Sequence, residues 1–138
     1  MDQIVKVQRV LVACMLFLIL GLSACSGGTE VVTGEVAKRY RNAVPPEAIV
    51  TVELRDVSVV DGPATILSSD VIELDGSQLP LPYELSFDPD DIDGRFTYTV
   101  FRRIEASGSL IYISDTAYPV ITNGGPTEAV EVVVVPTS

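Results

Sequence analysis

The 138-residue chain has no histidine and no tryptophan, two cysteines, and nine Lys and Arg against nineteen Asp and Glu. Without histidine there is no imidazole base and no imidazole metal ligand, so Ser-His-Asp and Cys-His nucleophile systems are excluded. The formal charge of -10 and a pI near 4.2 speak against binding phosphate backbones, and no nucleic-acid partner is expected. A hydrophobic share of 47% excludes a disordered chain. No continuous apolar run approaches the ~20 residues that a helix needs to cross a bilayer core.

What is present begins with an address. Lys6 and Arg9 precede Val10–Leu20, an uninterrupted apolar stretch the length of a secretory h-region. Leu22-Ser23-Ala24-Cys25 follows, a bulky apolar residue and two small ones before cysteine. Ordinary signal peptidase wants a small residue where Leu22 stands, so these three residues fit lipoprotein signal peptidase instead. Residues 1–24 are therefore expected to be a lipoprotein signal peptide that is removed. Cys25 then becomes the mature N-terminus, carrying a covalent diacylglycerol and an N-acyl chain of the palmitate type as its only attached groups; no other cofactor is expected. One acyl chain anchors marginally, whereas several on one residue hold firmly. Cys14 falls in the removed segment, leaving no cysteine to pair with Cys25.

Residues 25–30 are the lipidated cysteine and a flexible tether, Ser26-Gly27-Gly28-Thr29-Glu30, reaching under about 20 Å. Ser26, where an aspartate would favour retention at the inner membrane, points to the periplasmic side of the bacterial outer membrane. The mature side chains are 7 basic and 18 acidic. Anionic lipid would repel that excess, so membrane attachment rests on the acyl groups.

Residues 31–138 read as one domain of strands and turns. Strands are predicted over 31–39, 49–57, 65–74 with a bulge near Ser68-Ser69, 83–87, 96–106, 110–115 and 129–135. Ser107-Gly108 forms a hairpin between the fifth and sixth. Pro45-Pro46, Asp61-Gly62-Pro63, Asp75-Gly76, Pro80 and Pro82, Asp88-Pro89, Asp93-Gly94 and Asn123-Gly124-Gly125-Pro126 separate the runs. About seven strands in this length predict an antiparallel β-sandwich.

Candidate sites are few. Asp88, Asp90, Asp91 and Asp93 suggest a calcium loop. Setting Gly94 at position 6 of the EF-hand pattern, however, puts Pro89 at position 1 and Val100 at position 12, and both fail as ligands. These aspartates are weak metal candidates in what reads as a solvated turn. No catalytic residue can be named: a Ser–Lys nucleophile would need Lys38, the sole mature lysine, at an exposed strand end. Arg102 shares its parity with Phe96, Tyr98, Val100 and Ile104, the inward face. A guanidinium there needs a carboxylate or a route to solvent. Phe101, Ile111, Ile113, Val133 and Val135 fall on the opposite parity and form a candidate partner strip, unless the domain's own loops cover it.

Five segments carry a resemblance: Val32-Thr33-Gly34-Glu35-Val36, Leu54-Arg55-Asp56-Val57-Ser58, Phe87-Asp88-Pro89 with Ile92-Asp93, Arg103-Ile104, and Ser114-Asp115-Thr116-Ala117-Tyr118-Pro119-Val120. Over about residues 31–136 the chain resembles the YbaY-like lipoproteins, grouped with YscW-type pilot lipoproteins of type III secretion. The resemblance implies a β-sandwich periplasmic lipoprotein and a non-enzymatic binding or assembly module of the envelope. Its narrower form is a pilot that escorts an outer-membrane secretin. An envelope-polymer hydrolase using an Asp/Glu pair is the enzymatic alternative.

Overall fold

A computed structural model describes residues 27–137. The signal segment, Leu22, Ser23, Ala24 and the lipidation residue Cys25 lie outside them. The strands are β1 (Glu30–Lys38), β2 (Ile49–Asp56), β3 (Thr65–Glu73), β4 (Leu81–Phe87), β5 (Tyr98–Ala106), β6 (Ser109–Ser114), β7 (Tyr118–Val120) and β8 (Val130–Pro136). Pro89–Asp91 forms a single 3-10 turn. Valine, isoleucine and threonine dominate the strands, as their stiff branched side chains favour a pleated surface.

The all-β expectation holds, but the plain antiparallel sandwich is overturned. The eight strands form one sheet in the order β3-β2-β5-β6-β8-β1-β4, with β7 also paired to β5. The last strand lies between β6 and the first strand and runs parallel to β1. The sheet curls until its two outer strands approach. The backbone N–H of Glu84 on β4 donates to Asp70 Oδ2 on β3 at 3.2 Å. The result is a nearly closed barrel whose core is the inside of the curl. Val32, Val36, Val50, Val52, Leu54, Leu85, Tyr98, Val100, Ile104, Val132 and Val134 are each at most 1% exposed. Inward-outward alternation is the same in a sandwich and a barrel, so periodicity alone could not separate them.

Two further departures, at Pro82 and Phe96, accompany a bulge found beside the expected Ser68-Ser69. Pro82 lies inside β4 rather than ahead of it. Its parity matches Glu84, whose N–H faces the β3 side, so the missing N–H subtracts nothing from the β1 ladder. Pro82 thereby blunts an edge that would otherwise invite pairing. Phe96, predicted to point inward, precedes β5 and is 40% exposed. The bulge lies at Leu67, where Leu54 faces Ser68 but Arg55 faces Ile66.

Gly34 marks a close crossing. Tyr83 on β4 reaches over it to donate its hydroxyl to Val130 O on β8 at 2.9 Å. A Cβ on Gly34 would lie 2.0 Å from that carbonyl oxygen.

Candidate functional site

The sheet splits at Arg102. β5 pairs with β6 from Arg103 to Ala106 and with β7 from Tyr98 to Val100. Between these ladders, Ser114 Oγ accepts the N–H of Arg102 at 3.1 Å and donates to its carbonyl at 3.2 Å. A side chain thus replaces the missing strand partner, as a buried backbone requires.

Arg102 points inward as its parity predicted, but it is completely buried, with neither a contacting carboxylate nor a route to solvent. Nη1 donates to Val100 O at 3.1 Å and Nη2 to Val133 O at 2.7 Å. The guanidinium carbon sits 4.2 Å from the centroid of the Tyr118 ring. Burial pulls its pKa below the ordinary value, and Tyr118, Asp115 and Tyr83 oppose that shift. Nε finds no partner among the described residues. The Tyr118 hydroxyl accepts the Val133 N–H at 3.0 Å and donates to Asp115 Oδ1 at 2.9 Å. Asp115 Oδ2 in turn accepts from exposed Arg39 at 2.9 Å. This chain of contacts ties β5, β7, β8 and the ends of β1 and β6 together across the split. It explains why Ser114, Asp115 and Tyr118 stand in one motif, and it is a structural device.

Of the five strip residues, Phe101, Ile113, Val133 and Val135 share the outer face, whereas Ile111 falls in the register shift between β5 and β6 and packs against the core. Ile113 lies between Arg103 and Val135 in the ladders, and all five are half-buried. Arg55 stacks 3.6 Å from the centroid of the Phe101 ring. Glu53, on the same face, is only 4% exposed because two arginines flank it. Arg55 Nε donates to Glu53 Oε2 at 2.7 Å and Arg103 Nη1 to Oε1 at 3.3 Å, while Arg103 Nε reaches Glu105 at 3.4 Å. The two carboxylates sharing Arg103 are therefore ion-paired rather than free for acid–base work.

Two of the four aspartates serve separate local ends. Asp88 Oδ1 caps the 3-10 turn by accepting the Asp90 N–H at 2.9 Å. Asp93 accepts from both the Arg95 side chain and its N–H, which hold its carboxyl down to about 2. Among the described residues no three metal-ligating side chains gather. Lys38 lines an open cleft of about 510 Å³ with Glu35, Tyr40 and Arg41.

Sequence reasoning missed a second cleft. Where the Leu67 bulge turns β3 away from β4, a cleft of about 360 Å³ opens between Thr65–Leu67, Phe87 and Phe96. Its sequence signal was the run of breakers around Phe87-Asp88-Pro89, which a linear reading files as a turn.

The domain is small and barrel-like, and the polar contacts described above hold its strands together. The chain belongs to the type III secretion system lipoprotein chaperone family (YscW), whose profile matches residues 28–132. It is 36% identical over 94 residues to the uncharacterized lipoprotein YbaY of Escherichia coli K12, a match covering 68% of this chain. The chain spans about half the length of that relative, 50%. It is also similar to the solved structure of an alternative pilotin from the type II secretion system of Vibrio cholerae. That similarity has a TM-score of 0.76 and 38% identity, covering 80% of this chain and 99% of the other.

Proposed function

We propose that the protein is a non-enzymatic pilot-type lipoprotein of the bacterial outer membrane. Acyl chains on Cys25 hold it to the periplasmic face, and its β-domain binds an envelope protein, a secretin subunit by class, and escorts it there. The observation that carries this is the fold-wide similarity to a pilotin, which covers nearly all of that protein at 38% identity. The Leu22-Ser23-Ala24-Cys25 sequence supports the anchor, and the outer-face strip of Phe101, Ile113, Val133 and Val135 is one surface open to a partner.

The test is made in the native host. Deleting the gene should leave secretin multimers fewer and displaced from the outer membrane, and Cys25→Ala should reproduce this while abolishing acyl labelling. Multimers unchanged in amount and position would refute the escort role. Acyl label retained by Cys25→Ala would refute the anchor.

A further inference from the structure

The crack between β3 and β4 is closed along its middle and open at one end. Inside, the Glu84 N–H is already taken by Asp70, and Pro82 has no N–H to offer. Nothing can pair with β4 there without displacing these. At the mouth, the floor is Phe87 and the walls are Ile66 and Phe96, which are 52% and 40% exposed. The adjoining turn carries Val57, Val59 and Val60 at 38%, 67% and 86% exposure, and Val57 is tied to Thr97 O by its N–H at 2.9 Å. This much apolar surface at one end of a small barrel marks a contact site.

The charge around it has one sign. Asp56, Asp88 and Asp91 line the cleft together with no lysine or arginine. Among the described residues no basic side chain forms an ion pair with any of the three. An anionic lipid headgroup would be repelled, whereas lysine or arginine beside an apolar anchor would be drawn in. The cleft also has a fixed orientation. Glu30, which leads back to the tether, pairs with Phe87 at the cleft floor. With lipid on Cys25, the cleft lies at the membrane-proximal end of the domain, within about 20 Å of the bilayer by contour length.

We propose that this cleft receives a short segment of a partner protein, its apolar side chain seated between Ile66 and Phe96 over Phe87, and its flanking Lys or Arg residues against Asp56, Asp88 and Asp91. The proposal rests on the reading of the domain as an envelope-protein binder, and it supplies the surface and the partner chemistry. The closed middle of the crack limits the segment to a few residues.

The test uses the full chain in detergent micelles and a short fluorescein-labelled peptide with a Leu-Phe pair flanked by lysines. Anisotropy should show binding that weakens with salt. Replacing the peptide lysines by glutamate, or its Leu-Phe by serines, should abolish it. Phe96→Ser and Ile66→Ser, both at exposed positions, should each weaken binding by ~tenfold, as truncated anchors do. Asp91→Asn should weaken it by about threefold, the size of a rim charge contact. Tyr40→Ser, in the other cleft, should leave it unchanged. Failure of the lysine peptide to bind, equal binding of the glutamate peptide, or binding untouched by Phe96→Ser and Ile66→Ser would overturn the proposal. So would displacement of the peptide by phosphatidylglycerol doped into the micelles, which would assign the cleft to lipid. Secretin assembly in the host tests the pilot role separately, so either can fail while the other stands.

Discussion

Replacing glycine by alanine within a strand ordinarily stabilises by roughly 0.5–1 kcal/mol, because glycine loses more freedom on folding. Gly34→Ala should do the reverse. The new Cβ would lie 2.0 Å from Val130 O, 2.6 Å from Val130 C and 2.8 Å from the Tyr83 hydroxyl, against an ordinary contact of 3.4 Å or more. Two of these three atoms are backbone, so relief requires β1 and β8 to part by roughly 1.4 Å. That parting falls where their ladder begins. Overpacking of this kind costs about 1–3 kcal/mol. Loss of the buried Tyr83–Val130 hydrogen bond adds about 1–3 kcal/mol. Less the glycine term, the net loss is about 1–5 kcal/mol with a midpoint of ~3, or about 12 °C in Tm at that midpoint and ~4 °C per kcal/mol. Urea unfolding followed by tyrosine fluorescence measures it. Tyr83→Phe alone should cost about 1–2 kcal/mol. In the Gly34→Ala background it should cost measurably less, because the same bond is already gone. Gly34→Ala within 1 kcal/mol of the parent, or strict additivity with Tyr83→Phe, would refute this account of the crossing.

Arg102→Lys should destabilise by about 2–4 kcal/mol. A single ammonium cannot donate to Val100 O and Val133 O while lying over the Tyr118 ring, and denaturant melts give the difference. Burial pushes the Tyr83 hydroxyl up to about 12 from 10.0. Its contribution is therefore intact below pH 10 and lost as pH rises toward 12; the parent should lose stability over that window relative to Tyr83→Phe, and parallel pH curves would contradict it. Asp93 titrates in the opposite sense, since Arg95 holds its carboxyl at about 2 against 3.8. Its stabilising effect is complete above pH 4 and fades as pH falls toward 2. In Arg95→Gln the carboxyl carbon signal of Asp93 should titrate nearer 3.8, and an unmoved midpoint would show that Arg95 is not the cause.

The contacts at the Arg102 split bear on why a buried guanidinium is kept at all. A curled sheet in which β5 changes partners from β6 to β7 leaves backbone groups of Arg102 and Val133 without ladder partners. Ser114 supplies them for Arg102; for Val133, Tyr118 accepts the N–H, and the guanidinium shares the carbonyl with the Asp115 N–H at 3.4 Å. The charge is costly to bury, but the carbonyls would be costly to leave unpaired.

Short-range order was legible in the chain itself. Alternation in Val50–Leu54, Tyr83–Phe87 and Val130–Val134 set which side chains face the core, because a strand repeats every two residues whatever its neighbours do. The run from Lys6 to Cys25 set the expected address in the same local way. Partner choice was beyond such reasoning. That β8 lies parallel to β1, that three residues around Pro119 make a strand, and that Arg102 meets carbonyls and a tyrosine ring all depend on contacts between residues far apart in sequence. Hydrogen bonding between strands carries almost no signature in either strand alone. The curl of the sheet, the crack between its edges and the cleft at its mouth arose only when the chain closed on itself.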